Sequence, residues 1–133
     1  EFLKIASAPS FLRRENRVDI ILSDSLPVGI ISDIKVPTQR YVLRAGDILV
    51  MVTDGVLDAL PRGINPEEWL ARYIRRDDGA DPMGLAESLL TLSGEKAGEL
   101  RDDMTVVVAK LLRRTTDLDT LLRGDLPVFH RYR

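Results

Sequence analysis

The chain contains no cysteine. That excludes disulfides, thiolate metal sites and a cysteine nucleophile in one step, and it fits a reducing compartment. Histidine occurs once, at His130 near the C-terminus, so a Ser-His-Asp triad has no base to use, and His130 reads as surface tail. Neither sign of charge dominates. There are 19 basic and 21 acidic residues, net −2, and no basic block stands out, which argues against nucleic acid as a partner. No apolar run reaches the roughly 18 residues of a membrane span, and the N-terminus does not have the layout of a signal peptide. Neither GxGxxG nor a P-loop is present, and there is no internal repeat or low-complexity segment.

What remains is a globular composition. With 133 residues, 44% hydrophobic and 30% charged, the chain suits one domain or a large piece of one. It opens directly on the strand-like EFLKIA with no leader before it, which reads as a chain cut out of something larger. EFLKIA and Arg17 to Leu22 read as the two strands of a hairpin, with APSFLRREN as the turn between them. Pro27 and Gly29 break any regular element. Gln39 to Leu43 reads as a third strand, joined by a tight Arg44–Asp47 turn to a fourth at Ile48 to Thr53. Helical signals follow. Asn65-Pro66-Glu67-Glu68 is a start signal with Asn as cap, and Trp69, Leu70, Tyr73 and Ile74 form a core-packing stripe. Asp81-Pro82 opens a second helix, buried through Leu85, Leu89 and Leu92 with Ala86 and Leu90, and ended by Gly94. Met104 to Leu112 is a fifth strand, and residues 113–133 form a tail of mixed character.

Two stretches can carry chemistry. The apolar run Ile48 to Val52 ends in Thr53-Asp54-Gly55, and the run beginning at Met104 is preceded by Asp102-Asp103. Each has an ordinary reading, as an Asp-Gly turn and as a solvated turn before a strand. If the two strands neighbour each other antiparallel, Asp54 and the Asp102/Asp103 pair converge at one sheet edge. Carboxylates so close resist ionising together unless a cation lies between them, and hard oxygen ligands suit Mg²⁺ or Mn²⁺. Gly55 would let the backbone pass close to the ion or its waters. Spacing alone leaves the turn and metal readings open.

TDG after an apolar strand, followed some fifty residues later by RDDMTVVV, resembles the last two acidic motifs of the metal-dependent PPM (PP2C-type) serine/threonine phosphatases. EFLKIASAPSF, SLPVGII, LRAGDILVMVTDG and DDMTVVVAKL, in this order, resemble the C-terminal half of the phosphatase domain in the stage II sporulation protein E family. The likeness spans residues 1–112 and leaves 113–133 as a C-terminal tail. It implies an α+β fold, a PP2C-like sandwich of two antiparallel β-sheets flanked by helices, of which only the C-terminal half is present. It also implies two Mn²⁺ or Mg²⁺ ions in the intact domain, one held by Asp54 and Asp102, with Gly55 and Asp103 beside the ion rather than on it. Asp103 stands where many relatives have Asn. A bridging Asp from the missing N-terminal half completes such a site, so the chain alone is expected to be inactive.

The implied reaction is direct hydrolysis of a phosphoserine on a STAS-domain anti-anti-sigma factor, which activates a sporulation sigma factor. Partners implied are that phosphoprotein, the missing half of the domain and a second copy in a homodimer. The implied location is the cytoplasmic side of a membrane-anchored parent at the division septum. The alternatives are a catalytically inactive PPM-like binding or dimerisation module and a stress-response phosphatase of the same family.

Overall fold

The computed structural model describes residues 6–23, 25, 27, 29, 30, 40–61, 63–96 and 102–112. Four strands form one antiparallel sheet in the order β2-β1-β3-β4: β1 Ser10–Arg14, β2 Arg17–Ile21, β3 Ile48–Val52 and β4 Val106–Lys110. Between β3 and β4 come α1 Asp54–Asp58, α2 Pro66–Arg76 and α3 Pro82–Lys96.

The sequence misplaces the first hairpin. Glu1 to Ile5 lie outside the described residues, and Ala6 is a bend at φ 42°, not strand. The stretch expected to be a turn contains β1, and the true turn is only Glu15-Asn16, closing the Arg14↔Arg17 pair. Glu15 has φ 52°, the sign that the first central residue of a II′ hairpin turn requires. The third strand is also overturned. Gln39 lies outside the described residues, and Arg40 to Leu43 are exposed and in no strand. The partners of β3 are β1 and β4 instead. The turn at 44–47 stands, with Asp47 N–H donating to the Arg44 carbonyl at 3.0 Å.

Alternation along the strands sorts the two faces. Phe11, Ile48, Val50 and Val52 form a buried core with Val56, Leu60, Leu70, Ile74, Leu85 and Leu89, so all three helices cover one side of the sheet. Asn65 caps α2 through its side-chain oxygen, which accepts from Glu68 N–H at 2.9 Å. Trp69 and Tyr73 stack at 5.7 Å and pack on the core, as their spacing predicts. Gly94 does not end α3, which continues to Lys96. The fully buried line of that helix is Leu85, Leu89 and Ser93, while Ala86, Leu90 and Leu92 are half-buried.

One charged group is part of this framework. Asp47 is 2% exposed and accepts from Arg14 Nε at 2.9 Å, Arg14 Nη2 at 2.6 Å and Arg44 N–H at 2.7 Å. The hydrogen bond from Arg14 holds the Asp47 carboxyl below its ordinary pKa, against the opposing effect of burial. A lowered folded pKa means that this stabilisation is present above the unfolded value, near 3.9, and is lost as pH falls through the folded one. Asp47→Asn is therefore expected to lower Tm by several degrees at pH 7. The gap between variant and wild type should narrow below about pH 4. Thermal melts from pH 7 to pH 3 check this, and a gap that widens in acid contradicts it.

Candidate metal site at the meeting ends of two strands

β3 and β4 run antiparallel with Val52 opposite Val106, so the chain leaves β3 where it enters β4. Asp54 thus starts α1 next to the Asp102–Asp103 approach to β4. The sequence did not reveal the device that joins them. Thr53 N–H donates to the Thr105 carbonyl at 3.1 Å, its hydroxyl donates to the Asp103 carbonyl at 3.0 Å, and that same hydroxyl accepts from Thr105 N–H at 2.9 Å. Thr53 occupies the N-cap of α1 but makes no side-chain cap bond, because its hydroxyl is committed to β4. A threonine between a buried strand and an acid was the available signal.

Gly55 is buried, and a Cβ on it would stand 2.6 Å from the Asp103 carbonyl oxygen and 3.2 Å from that of Asp102. The need for glycine here is close approach of two backbones, with no unusual φ involved. Any larger residue would force α1 away from the Asp102–Asp103 segment.

The carboxylates of Asp54 and Asp102 belong to exposed residues. Each also accepts from the next residue's N–H, Asp54 from Gly55 at 3.2 Å and Asp102 from Asp103 at 2.8 Å. These bonds use Oδ1 in both residues. Asp103 contributes to the junction through its main-chain carbonyl. Hard, solvent-facing oxygens on two pinned strand ends fit a Mg²⁺ or Mn²⁺ ion that keeps several waters. Among the described residues no group of three or more acidic, histidine or cysteine side chains is placed to hold a metal ion by itself.

Thr53→Val keeps shape and removes both side-chain bonds. It should cost about 1 kcal/mol of stability or less, since the bonds are exposed, and about tenfold in metal-dependent activity of the intact protein through misplacement of the acids. Thr53→Ser, which keeps the hydroxyl, should restore most of both in parallel melts and rate measurements. Equal losses in the two variants would remove the hydroxyl from the account.

Comparison with known proteins gives the family and the fold. The chain is 39% identical over 115 residues to stage II sporulation protein E of Priestia megaterium, covering 86% of the chain and 20% of that protein. It is 34% identical over 116 residues to the Bacillus subtilis (strain 168) protein of the same name, covering 86% of the chain and 14% of that protein. It thus spans a fifth or less of these relatives. Among solved structures it superposes on the manganese-presoaked phosphatase domain of the cell fate determinant SpoIIE from Bacillus subtilis. The TM-score is 0.68 at 29% identity, over 86% of this chain and 51% of that one. A crystal form of the same domain without domain swapping gives a TM-score of 0.69 at 32% identity, over 95% and 54%. The fold is that of the PP2C phosphatase domain, an α+β architecture. A family profile for stage II sporulation protein E matches residues 1–112. On this profile match and these superpositions, the chain belongs to the stage II sporulation protein E family, within its PP2C-type phosphatase domain.

Proposed function

We propose that this chain is the C-terminal half of the catalytic domain of a metal-dependent protein serine/threonine phosphatase. Its substrate would be the phosphoserine of a STAS-domain anti-anti-sigma factor, whose dephosphorylation activates a sporulation sigma factor. The observation that carries the proposal is the junction of β3 and β4, where Thr53 ties the strand end bearing Asp54 to the strand start bearing Asp102. Asp54 and Asp102 would hold Mn²⁺ or Mg²⁺. The manganese-soaked relative supports metal dependence. When bound, such an ion supplies Lewis acidity, lowering the pKa of a water and neutralising phosphoryl oxygens during in-line displacement. The chain's own contribution is positional. α1 and the β4 approach are fixed at Gly55 and Thr53, so the two carboxylates are presented without further ordering when substrate arrives. No side chain of this chain is required as a covalent nucleophile.

Among the described residues no three acidic, histidine or cysteine side chains are placed to hold an ion together, which favours a division of labour. The remaining ligands come from the half of the domain outside this chain, and the chain alone is inactive. The test is hydrolysis of a phosphoserine STAS-domain protein with added Mn²⁺. The intact protein should turn over and lose activity on chelation, and the 133-residue chain should show none. Robust turnover by the isolated chain, or chelator-insensitive turnover by the intact protein, would overturn the proposal.

A further inference from the structure

At the other end of the sheet, a cleft of about 340 Å³ opens between the β1–β2 turn, the approach to β3, the α2–α3 loop and the end of β4. That is the lower bound of ligand-sized clefts. Four cationic side chains line it, Arg13, Arg14, Arg44 and Lys110. Two are already committed: Arg14 is held by the Asp47 carboxylate, and Lys110 Nζ donates to the Gly79 carbonyl at 2.6 Å. Arg13 is different. It faces the helix side of the sheet opposite Ile48, is 8% exposed and lies against Gly79. Its Nε is buried without a hydrogen-bond partner, and no carboxylate among the described residues forms an ion pair with it. Glu15 and Asp78 also line the cleft, but Asp78 accepts from Ala80 N–H and Glu15 sits on the exposed hairpin turn.

A guanidinium keeps its charge in a protein, and a buried donor left without a partner is costly. An anion in the cleft would supply both an acceptor and the opposite charge. We propose that this cleft is a binding site for a phosphate oxyanion, with Arg13 as its buried anchor and Arg44 and Lys110 at its sides. A planar guanidinium matches two phosphate oxygens at once, and an ammonium with a donor to spare can meet a third. The site is separate from the metal centre, because β3 from Ile48 to Val52 sets the two ends ~14 Å apart along the strand. It therefore stands whether or not Asp54 and Asp102 bind metal.

The test is calorimetric titration of the intact protein with inorganic phosphate in EDTA at constant ionic strength, so that no anion is held through a metal. Saturable binding is expected. Arg13→Met should weaken it at least tenfold, Arg44→Gln severalfold, and Asp54→Asn not at all. Arg44 is exposed and uses only its main chain in the Asp47 turn, so Arg44→Gln leaves the fold intact even if Arg13→Met does not. Titration with O-phosphoserine separates two sources of the same chemistry. Binding of either compound supports the site, and the tighter one identifies a free ion or a phosphorylated side chain as its occupant. No saturable binding, unchanged affinity in Arg44→Gln, loss in Asp54→Asn, or acetate binding as tightly as phosphate would each overturn the assignment.

Discussion

Replacing Asp54 or Asp102 by asparagine in the intact protein should lower Mn²⁺-dependent phosphatase activity on the order of a hundredfold or more, with the fold preserved. The substitution removes a charge and almost no volume. In both residues Oδ1 accepts a neighbouring backbone N–H, and asparagine retains an oxygen that can do the same. Both residues are exposed, so the change in stability should stay within about 0.5 kcal/mol. What would be lost is one negative ligand to the proposed divalent cation, with no group of three metal-holding side chains among the described residues to make up for it. Asp103→Asn is the internal control. Asp103 serves the junction through its main-chain carbonyl, which accepts from Thr53, and the substitution leaves that carbonyl untouched. Its effect should be within a few-fold. Rates at saturating Mn²⁺, together with melts of each variant, decide the matter. Near-normal turnover by Asp54→Asn or Asp102→Asn would remove these residues from the metal centre, and an Asp103→Asn loss equal to theirs would mean that their roles were misassigned.

The parts of the fold legible in the sequence are those where local chemistry and tertiary context agree. β3 and β4 are continuous apolar runs, the pattern of strands meant to be covered on both faces. α2 announces itself through Asn65 and Pro66, whose capping role is fulfilled by the bond to Glu68. β1 was missed because its last two residues are Arg13 and Arg14, which look like a solvated turn. Arg13 is buried, while Arg14 stays partly exposed and is held from far away in sequence by Asp47. Pro9, read as a turn residue, sits just before the first strand residue, where a missing N–H costs the ladder nothing. Conversely, Tyr41, Val42 and Leu43 have good strand propensity but lie exposed, because β1 already occupies the place beside β3. At the site, the antiparallel pairing of β3 with β4 brings the Asp54 and Asp102–Asp103 stretches to one sheet end as the spacing suggests, whereas the role of the Thr53 hydroxyl shows only once β4 is known to lie next to β3.

The 133-residue chain, prepared by itself, is expected to associate rather than remain a compact monomer. The helices cover only one face of the sheet. On the other, Leu12 is buried and Leu49 half-buried, but Ala109 is exposed and Met51 pairs with Val107 in the open. Met51 is 37% and Val107 38% exposed, high values for apolar residues in the middle of adjacent strands. β4 is also an edge strand among the described residues, with an unpaired ladder along Val106–Lys110. Covering a few hundred Å² of such a face is worth on the order of 10 kcal/mol at ~25 cal/mol per Å², before the entropy of association is subtracted. In the intact domain the opposing sheet of the sandwich would take this place; in the isolated chain a second copy would. Size-exclusion chromatography with light scattering should show a dimer or larger. The double substitution Met51→Lys, Val107→Lys, at positions outside the helix-side core, should shift the population towards monomer without loss of helix signal. A monodisperse species of about 15 kDa for the unsubstituted chain would mean that this half closes its own second face.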